Sequence, residues 1–254
     1  MKFDTYIPCD GLKPFVRSFV IQEMPGEETY KVLPDTGLVI GFQYNGRLSY
    51  LQDEREIGLS PYGVTGLRDG FRVFKNSGVT STVLVFFREG GAAAFFQQPL
   101  HELFRESVSL ENFMPRSELL RIEEQLCEAK TDRVRIRLIE QVLLARIGSF
   151  QPDLFVSAAL QLIHKSKGTI RITELAKRLH TSQSPLEKRF RKAVGASPKK
   201  FASIVRLKHA IETFHPENSL TGLGYESGYY DQAHFIRQFK TFTGQTPGQF
   251  FRSR

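Results

Sequence analysis

Residues 186–201 read LEKRFRKAVGASPKKF and residues 235–250 read FIRQFKTFTGQTPGQF. Overlaid at an offset of 49, Phe190 falls on Phe239, Gly195 on Gly244, Pro198 on Pro247 and Phe201 on Phe250. Leu186 falls on Phe235, Lys188 on Arg237, Arg191 on Lys240 and Ser197 on Thr246, all conservative pairs at the same offset. One offset sustained in this way marks two copies of one supersecondary unit.

Each copy predicts helix, tight turn, helix. In the first, Thr173 is a candidate cap for a helix that turns Leu175, Ala176 and Leu179 inward. His180-Thr181-Ser182 is the turn, with Ser182 the candidate cap of the second helix. Pro185 is tolerable there because first-turn N–H groups have no helical partner. Leu186, Phe190, Ala193 and Val194 form a buried stripe and Gly195 supplies the stop, leaving Ser184, Glu187, Lys188 and Arg191 on the opposite, polar face. The second copy predicts a helix over Leu220–Tyr225, a turn at Gly228 and a second helix from about Asp231. Phe235, Phe239 and Phe242 point inward there, with Gln232, Ala233, Arg237 and Lys240 outward and His234 at the margin. Two helices joined by so short a turn constitute a helix-turn-helix, whose second helix enters the major groove of DNA. The two units span about 172–195 and 220–244.

Charge supports a polyanion partner. Of 254 residues, 1–150 carry 18 Lys and Arg against 20 Asp and Glu (net −2), whereas 151–254 carry 17 against 7 (net +10). Gly148-Ser149-Phe150-Gln151-Pro152 interrupts the pattern between them, so the chain divides into 1–150 and 151–254. The expected class is α+β: a β-rich first domain with following helices, then an all-α domain.

Residues 1 to about 90 read as strands and turns. Leu38 to Tyr44, Asn45-Gly46 and Arg47 to Leu51 carry the strongest short hairpin signal, with positive φ expected at both turn residues. Further strands are expected at Phe71–Phe74 and Thr80–Phe87, the set closing into a barrel or a sandwich. Helices follow between 92 and 147: a short one at Ala92–Phe96, then Ser117–Lys130 and Asp132–Ile147, the last with Val134, Leu138, Val142 and Ala145 along one stripe.

The second part resembles the AraC/XylS family of transcription regulators. The resemblance rests on Ser182-x-Ser184-x-Leu186-x-x-x-Phe190, on Gly195-x-Ser197-Pro198-x-x-Phe201, and on Arg206-Leu207 with Ala210. Its most specific stretch is Gly228-Tyr229-x-Asp231-Gln232-x-His234-Phe235-x-Arg237-x-Phe239-Lys240-x-x-x-Gly244-x-Thr246-Pro247. A weaker similarity to the family's barrel-type, cupin-like effector domains lies at Val32-Leu33-Pro34-Asp35 and Phe86-Phe87-Arg88-x-Gly90-Gly91-Ala92-Ala93. The resemblance implies a sequence-specific DNA-binding regulator, an activator in preference to a repressor, modulated through an effector-sensing or dimerising first domain. It places base contacts at Gln183, Ser184, Glu187 and Lys188 in the first unit and at Gln232, Ala233, His234 and Arg237 in the second. Such side chains suit base edges: Lys or Arg donates to guanine, Gln pairs with adenine, Glu accepts from cytosine. Arg191, Lys192, Lys199, Lys200 and Lys240 are the implied phosphate contacts. Implied partners are double-stranded DNA, RNA polymerase, a small-molecule effector and a second copy of the chain. The chain departs from the family pattern at Gly222 and Gly224 in the second scaffold helix, at Tyr230 where a capping Ser is common, and at Phe251.

Other classes find less support. Only His101 of the six histidines precedes residue 150, so no metal-dependent barrel enzyme is expected and neither metal nor cofactor is assigned. No Ser-x-x-Lys or Gly-x-Ser-x-Gly nucleophile motif and no phosphate-cradling glycine loop occurs, and no catalysis is expected. Cys9 and Cys127 form no disulfide framework, no apolar run approaches membrane-spanning length, and Met1-Lys2-Phe3-Asp4 opens no signal peptide. The expectation is a cytoplasmic chain with no membrane partner. Arg68, Arg88 and Tyr62 read as ordinary strand residues, so no effector site is named. The competing readings are a barrel enzyme with a DNA-binding tail and a non-specific architectural DNA binder.

Overall fold

A computed structural model describes residues 1–53, 55–148, 150–214, 222, 224, 227–229 and 231–252. Ten strands come first: β1 (Lys2–Tyr6), β2 (Val16–Met24), β3 (Glu28–Val32), β4 (Val39–Asn45), β5 (Leu48–Gln52), β6 (Arg55–Gly58), β7 (Tyr62–Thr65), β8 (Arg72–Asn76), β9 (Thr80–Phe87) and β10 (Ser107–Ser109). They form two antiparallel sheets, ordered β1-β2-β9-β4-β7-β10 and β3-β8-β5-β6. Of the two arrangements expected, the described strands take the two-sheet form and do not close into one barrel.

The Asn45-Gly46 turn is not a hairpin. β4 pairs with β7 and β9, whereas β5 pairs with β6 and β8, so the turn carries the chain from one sheet to the other. Gly46 has the expected positive φ of 67°, but Asn45 does not share it and ends β4. The local signal reported a tight reversal correctly; it could not report which neighbour each strand would choose. Buried Asn76 reinforces this corner, its Nδ2 donating to the carbonyls of Gly26 and Gly78, which lie in the turns between β2 and β3 and between β8 and β9. Gln43 joins the sheets nearby: its Nε2 donates to the Ser60 carbonyl (2.9 Å) and its Oε1 accepts from the Leu48 amide (2.8 Å).

Short 3₁₀ turns at Gly91–Ala94 and Leu100–Leu103 lead to the helical hairpin α1 (Arg116–Glu128) and α2 (Asp132–Leu144), with α1 lying against β4. The inward stripe of α2 is Ile136, Ile139 and Leu143, not the expected one; Val134 is exposed. Two three- and four-residue stripes overlap in that sequence, and the fully buried one consists of Ile and Leu alone. Thr131 caps α2 by accepting from the Val134 amide.

The remaining helices are α3 (Leu154–Lys165), α4 (Ile172–Arg178), α5 (Gln183–Val194), α6 (Pro198–Glu212), α7 (Gln232–Thr243) and α8 (Pro247–Arg252). α4 begins one residue before Thr173, so Arg171 is the N-cap and Thr173 is no cap. The expected scaffold helix over Leu220–Tyr225 lies mostly outside the described residues; Gly222 and Gly224 within it are helical. One apolar core runs from the sheets through α1–α3 into α4–α7. No helix among the described residues is long and apolar enough to cross a membrane.

A side chain at position 46 would sit 2.2 Å from the Val79 carbonyl in a left-handed conformation, whereas one at position 58 would meet open space. Gly46→Ala is therefore expected to lose about 2 kcal/mol or more in urea unfolding, with Gly58→Ala changing stability by less than about 0.5 kcal/mol. Equal losses in the two variants would remove the corner from the account.

Candidate nucleic-acid interface

The two second helices, α5 and α7, are built alike. α5 buries Leu186, Phe190 and Val194, and α7 buries Phe235, Phe239, Phe242 and Thr243. Phe190 meets Phe201 of α6 edge to face at 5.5 Å, and Phe239 meets Phe250 of α8 at 5.4 Å in the same way. The period-49 repeat is thus a repeat of packing, with the same aromatic pair anchoring each helix. Gly195 (φ 96°) and Gly244 (φ 77°) terminate the helices in the left-handed conformation that a side chain disfavours. Asp231 caps α7, its Oδ1 accepting the His234 amide at 2.7 Å. A serine at 230 is therefore unnecessary; Tyr230 itself lies outside the described residues. Ser182 holds the equivalent place before α5 without a side-chain cap bond.

With one face fixed by aromatic packing, the other is free. Gln183, Ser184, Glu187 and Lys188 are exposed on α5, and Gln232, Ala233 and Arg237 on α7. His234 is half-buried with its ring edge on Tyr229 at 5.5 Å. Arg191, Lys192, Lys199, Lys200 and Lys240 are all exposed. Glu187 lies 3.7 Å from Arg191 one turn on, an exposed pair worth little in stability. Lys200 is engaged elsewhere: its Nζ lies 3.3 Å from Asp69 and 4.3 Å from the centre of the Phe104 ring. Arg189, not foreseen as functional, holds Asp153 through two nitrogens and lies over Phe155. It secures α5 to α3.

Three further contacts tie the basic helices to the sheet-rich domain. Lys208 of α6 reaches Asp35 at 2.6 Å, and Asp35 also receives the guanidinium of Arg17. Burial alone would raise the Asp35 carboxyl, but the Arg17 and Lys208 bonds and charges override it and hold the group well below the usual carboxylate range. His164 of α3 meets Glu89 at 2.8 Å, and that bond raises the His164 pKa against the opposing effect of burial. The 3₁₀ turn at Leu100–Leu103 packs on α5, with the Leu100 carbonyl close to Gly195.

Behind this junction lies a cavity of about 720 Å³ between the two sheets, whose wall also includes Lys208, Ile211 and Glu212 of α6 and Phe242 of α7. Arg68 lines it; Tyr62 and Arg88, weighed with Arg68 from the sequence, do not. Arg72 lines it too and was missed. Its signal was a charged residue on the inward phase of a strand: Arg72, Phe74 and Asn76 alternate with Val73 and Lys75 along β8. Arg72 is only 8% exposed, with its guanidinium 3.9 Å from the centre of the Tyr50 ring, and it donates to Ser107 Oγ (2.5 Å) and the Arg105 carbonyl (3.0 Å). Arg68 donates to the same carbonyl at 3.1 Å, and its buried Nε has no partner among the described residues. Desolvation and the neighbouring Arg72 charge push its pKa down to about 10.

Residues 175–253 match the family described as a helix-turn-helix domain, and residues 4–109 match a domain of unknown function, DUF6597. The second part of the chain thus carries a helix-turn-helix domain. It is 26% identical over 153 residues to the Msm operon regulatory protein of Streptococcus mutans, a match covering 59% of this chain and 55% of that one. The match thus spans about half the length of that curated relative. Among solved structures, ToxT from Vibrio cholerae is similar at 11% identity, with a TM-score of 0.48 over 99% of this chain and 98% of that one. The C-terminal domain of AraT from Geobacillus stearothermophilus is 25% identical, with a TM-score of 0.38 over 42% of this chain and 89% of that one.

Two outcomes follow for the junction and the cap. The His164 imidazole should titrate above 6.5 by NMR in the intact chain and move down towards 6.5 in Glu89→Gln; the ion pair is then complete below that value and lost as pH rises through the elevated pKa. Unchanged titration in the variant would mean that Glu89 does not hold the ring. Asp231→Ala should cost about 0.5–2 kcal/mol in the thermal unfolding of the helical domain, as loss of a cap does.

Proposed function

We propose that the chain is a sequence-specific DNA-binding transcription regulator, divided at about residue 150, that inserts α5 and α7 into successive major grooves on one side of a duplex. The observation that carries this reading is the repeated packing: one aromatic stripe per helix is buried, and a contiguous polar face is left outward in both. Gln183, Ser184, Glu187 and Lys188 read bases in the first unit, and Gln232, Ala233 and Arg237 in the second. His234 contributes at the margin, since its ring also packs on Tyr229. Arg191, Lys192, Lys199 and Lys240 contact phosphates, giving register and salt dependence. Lys200 joins them only when its pairing with Asp69 opens.

Regulation runs through the first domain. The cavity shares a wall with α6 and α7, so a small molecule filling it contacts both the sensing sheets and one of the two DNA-reading helices, α7. Such an effector favours one arrangement of the Asp35–Lys208 junction and thereby changes how well the helices engage DNA. Activation through RNA polymerase, a homodimer on paired half-sites, and a cytoplasmic, non-catalytic protein complete the proposal.

Selection of bound DNA from a random pool by the full chain tests it. A defined motif is expected, and Lys188→Ala should relax preference at one base position at a cost of about 1–3 kcal/mol, while Arg191→Ala weakens all sequences alike. A uniform loss from Lys188→Ala, with no motif recovered, would favour the architectural reading.

A further inference from the structure

The cavity between the sheets is electrostatically lopsided. Its charged side chains are Lys31, Asp35, Arg68, Arg72, Lys208 and Glu212. Asp35 is taken by Arg17 and Lys208. Asp69, next in sequence to Arg68, is taken by Arg105 (2.6 Å) and Lys200. Among the described residues no carboxylate lies within ion-pairing distance of Arg68 or Arg72, and Glu106 acts on them only from farther away. Two guanidinium groups therefore converge on the Arg105 carbonyl with no acid between them.

That arrangement is costly unless something repays it. Buried charges are ordinarily paired, because desolvation of an unpaired ion is expensive. Desolvation accordingly lowers the pKa of both arginines. Arg72 is already fixed by Tyr50, Ser107 and the carbonyl, whereas Arg68 keeps a buried Nε–H unused. A planar guanidinium held in place, with an Nε–H still lacking an acceptor and no acid beside it, is suited to a carboxylate or phosphate. The rest of the wall is largely apolar, including Val39, Leu48, Val64, Leu67 and Phe74. The volume of about 720 Å³ is in the range that holds a small organic molecule.

Building on the effector reading above, we propose that Arg68 and Arg72 form an anion site in this cavity, and that the effector is an organic anion with an apolar body, its carboxylate or phosphate seated on the two guanidinium groups. Lys31 and Lys208 line the same cavity but are otherwise engaged. Lys31 is exposed over Phe71, and Lys208 is neutralised by Asp35. The anion supplies the missing countercharge and satisfies Arg68 Nε.

Calorimetric titration of the full chain with three probes of one shape tests this: 4-biphenylcarboxylate, 4-biphenylyl phosphate and neutral 4-biphenylcarboxamide. At least one anion should bind tenfold or more tightly than the amide, and the preferred anion identifies carboxylate or phosphate as the headgroup. Arg68→Met should abolish that preference, Arg68→Lys should keep part of it, and Lys31→Met should leave it intact. The unliganded melting temperature of Arg68→Met should hold or rise, because a repelling charge has gone; a merely structural arginine would lower it. Equal binding of acid and amide, no binding of any probe, or sensitivity to Lys31→Met in place of Arg68→Met overturns the proposal. DNA affinity measured with and without the bound anion separates the two readings: an anion that binds through Arg68 yet leaves DNA affinity unchanged retains the site and rejects its regulatory role.

Discussion

The burial of one aromatic stripe on each of two short helices is the constraint on which the rest depends. Phe190 and Phe239 are fully buried, each edge-on to a phenylalanine of the helix that follows, Phe201 or Phe250. Each fully buried Phe side chain contributes about 1.5–3 kcal/mol, and aromatic pairing adds about 0.5–1.5 kcal/mol. A helix held this way has one rotational setting, so the residues opposite the stripe face outward without any further device. Glycines at 195 and 244 and the Asp231 cap then fix where each helix starts and stops. The outward polar face is a by-product of the core.

The second theme is charge moved across a junction. The nearly neutral first part supplies Asp35, Asp69 and Glu89, and the basic second part supplies Lys208, Lys200 and His164 to meet them. Each pair is only partly shielded from water, so none is a strong clamp by itself. The cavity touches the junction from the other side, through Lys208, Ile211 and Phe242, so one small volume borders both the sheets and helices of the second part.

The helical part was legible because its information is local. A 49-residue repeat, left-handed glycines and a 3.6-residue stripe all act within one or two turns of chain, and the structure places α5 and α7 where those signals put them. The sheets were less legible because pairing is not local. Asn45-Gly46 reported a reversal but not that β5 would leave the β4 sheet for β8. In α2, Val134 and Ile136 belonged to competing stripes, and only tertiary packing chose between them. Thr173 looked like a cap, yet the first turn forms from Ile172. The cavity was least legible of all: Arg72 stands inward on β8, but its meaning depends on Tyr50, Ser107 and Arg68, brought together from three other stretches of chain.

Hydroxyl-radical footprinting of the full chain on its selected DNA puts the central claim to the most direct trial. Two protected windows should appear on one face of the duplex, about 10–10.5 base pairs apart as successive major grooves require, with Arg237→Ala erasing one and sparing the other. A single window, or two that vanish together in that variant, would contradict the account of two independent look-alike reading helices.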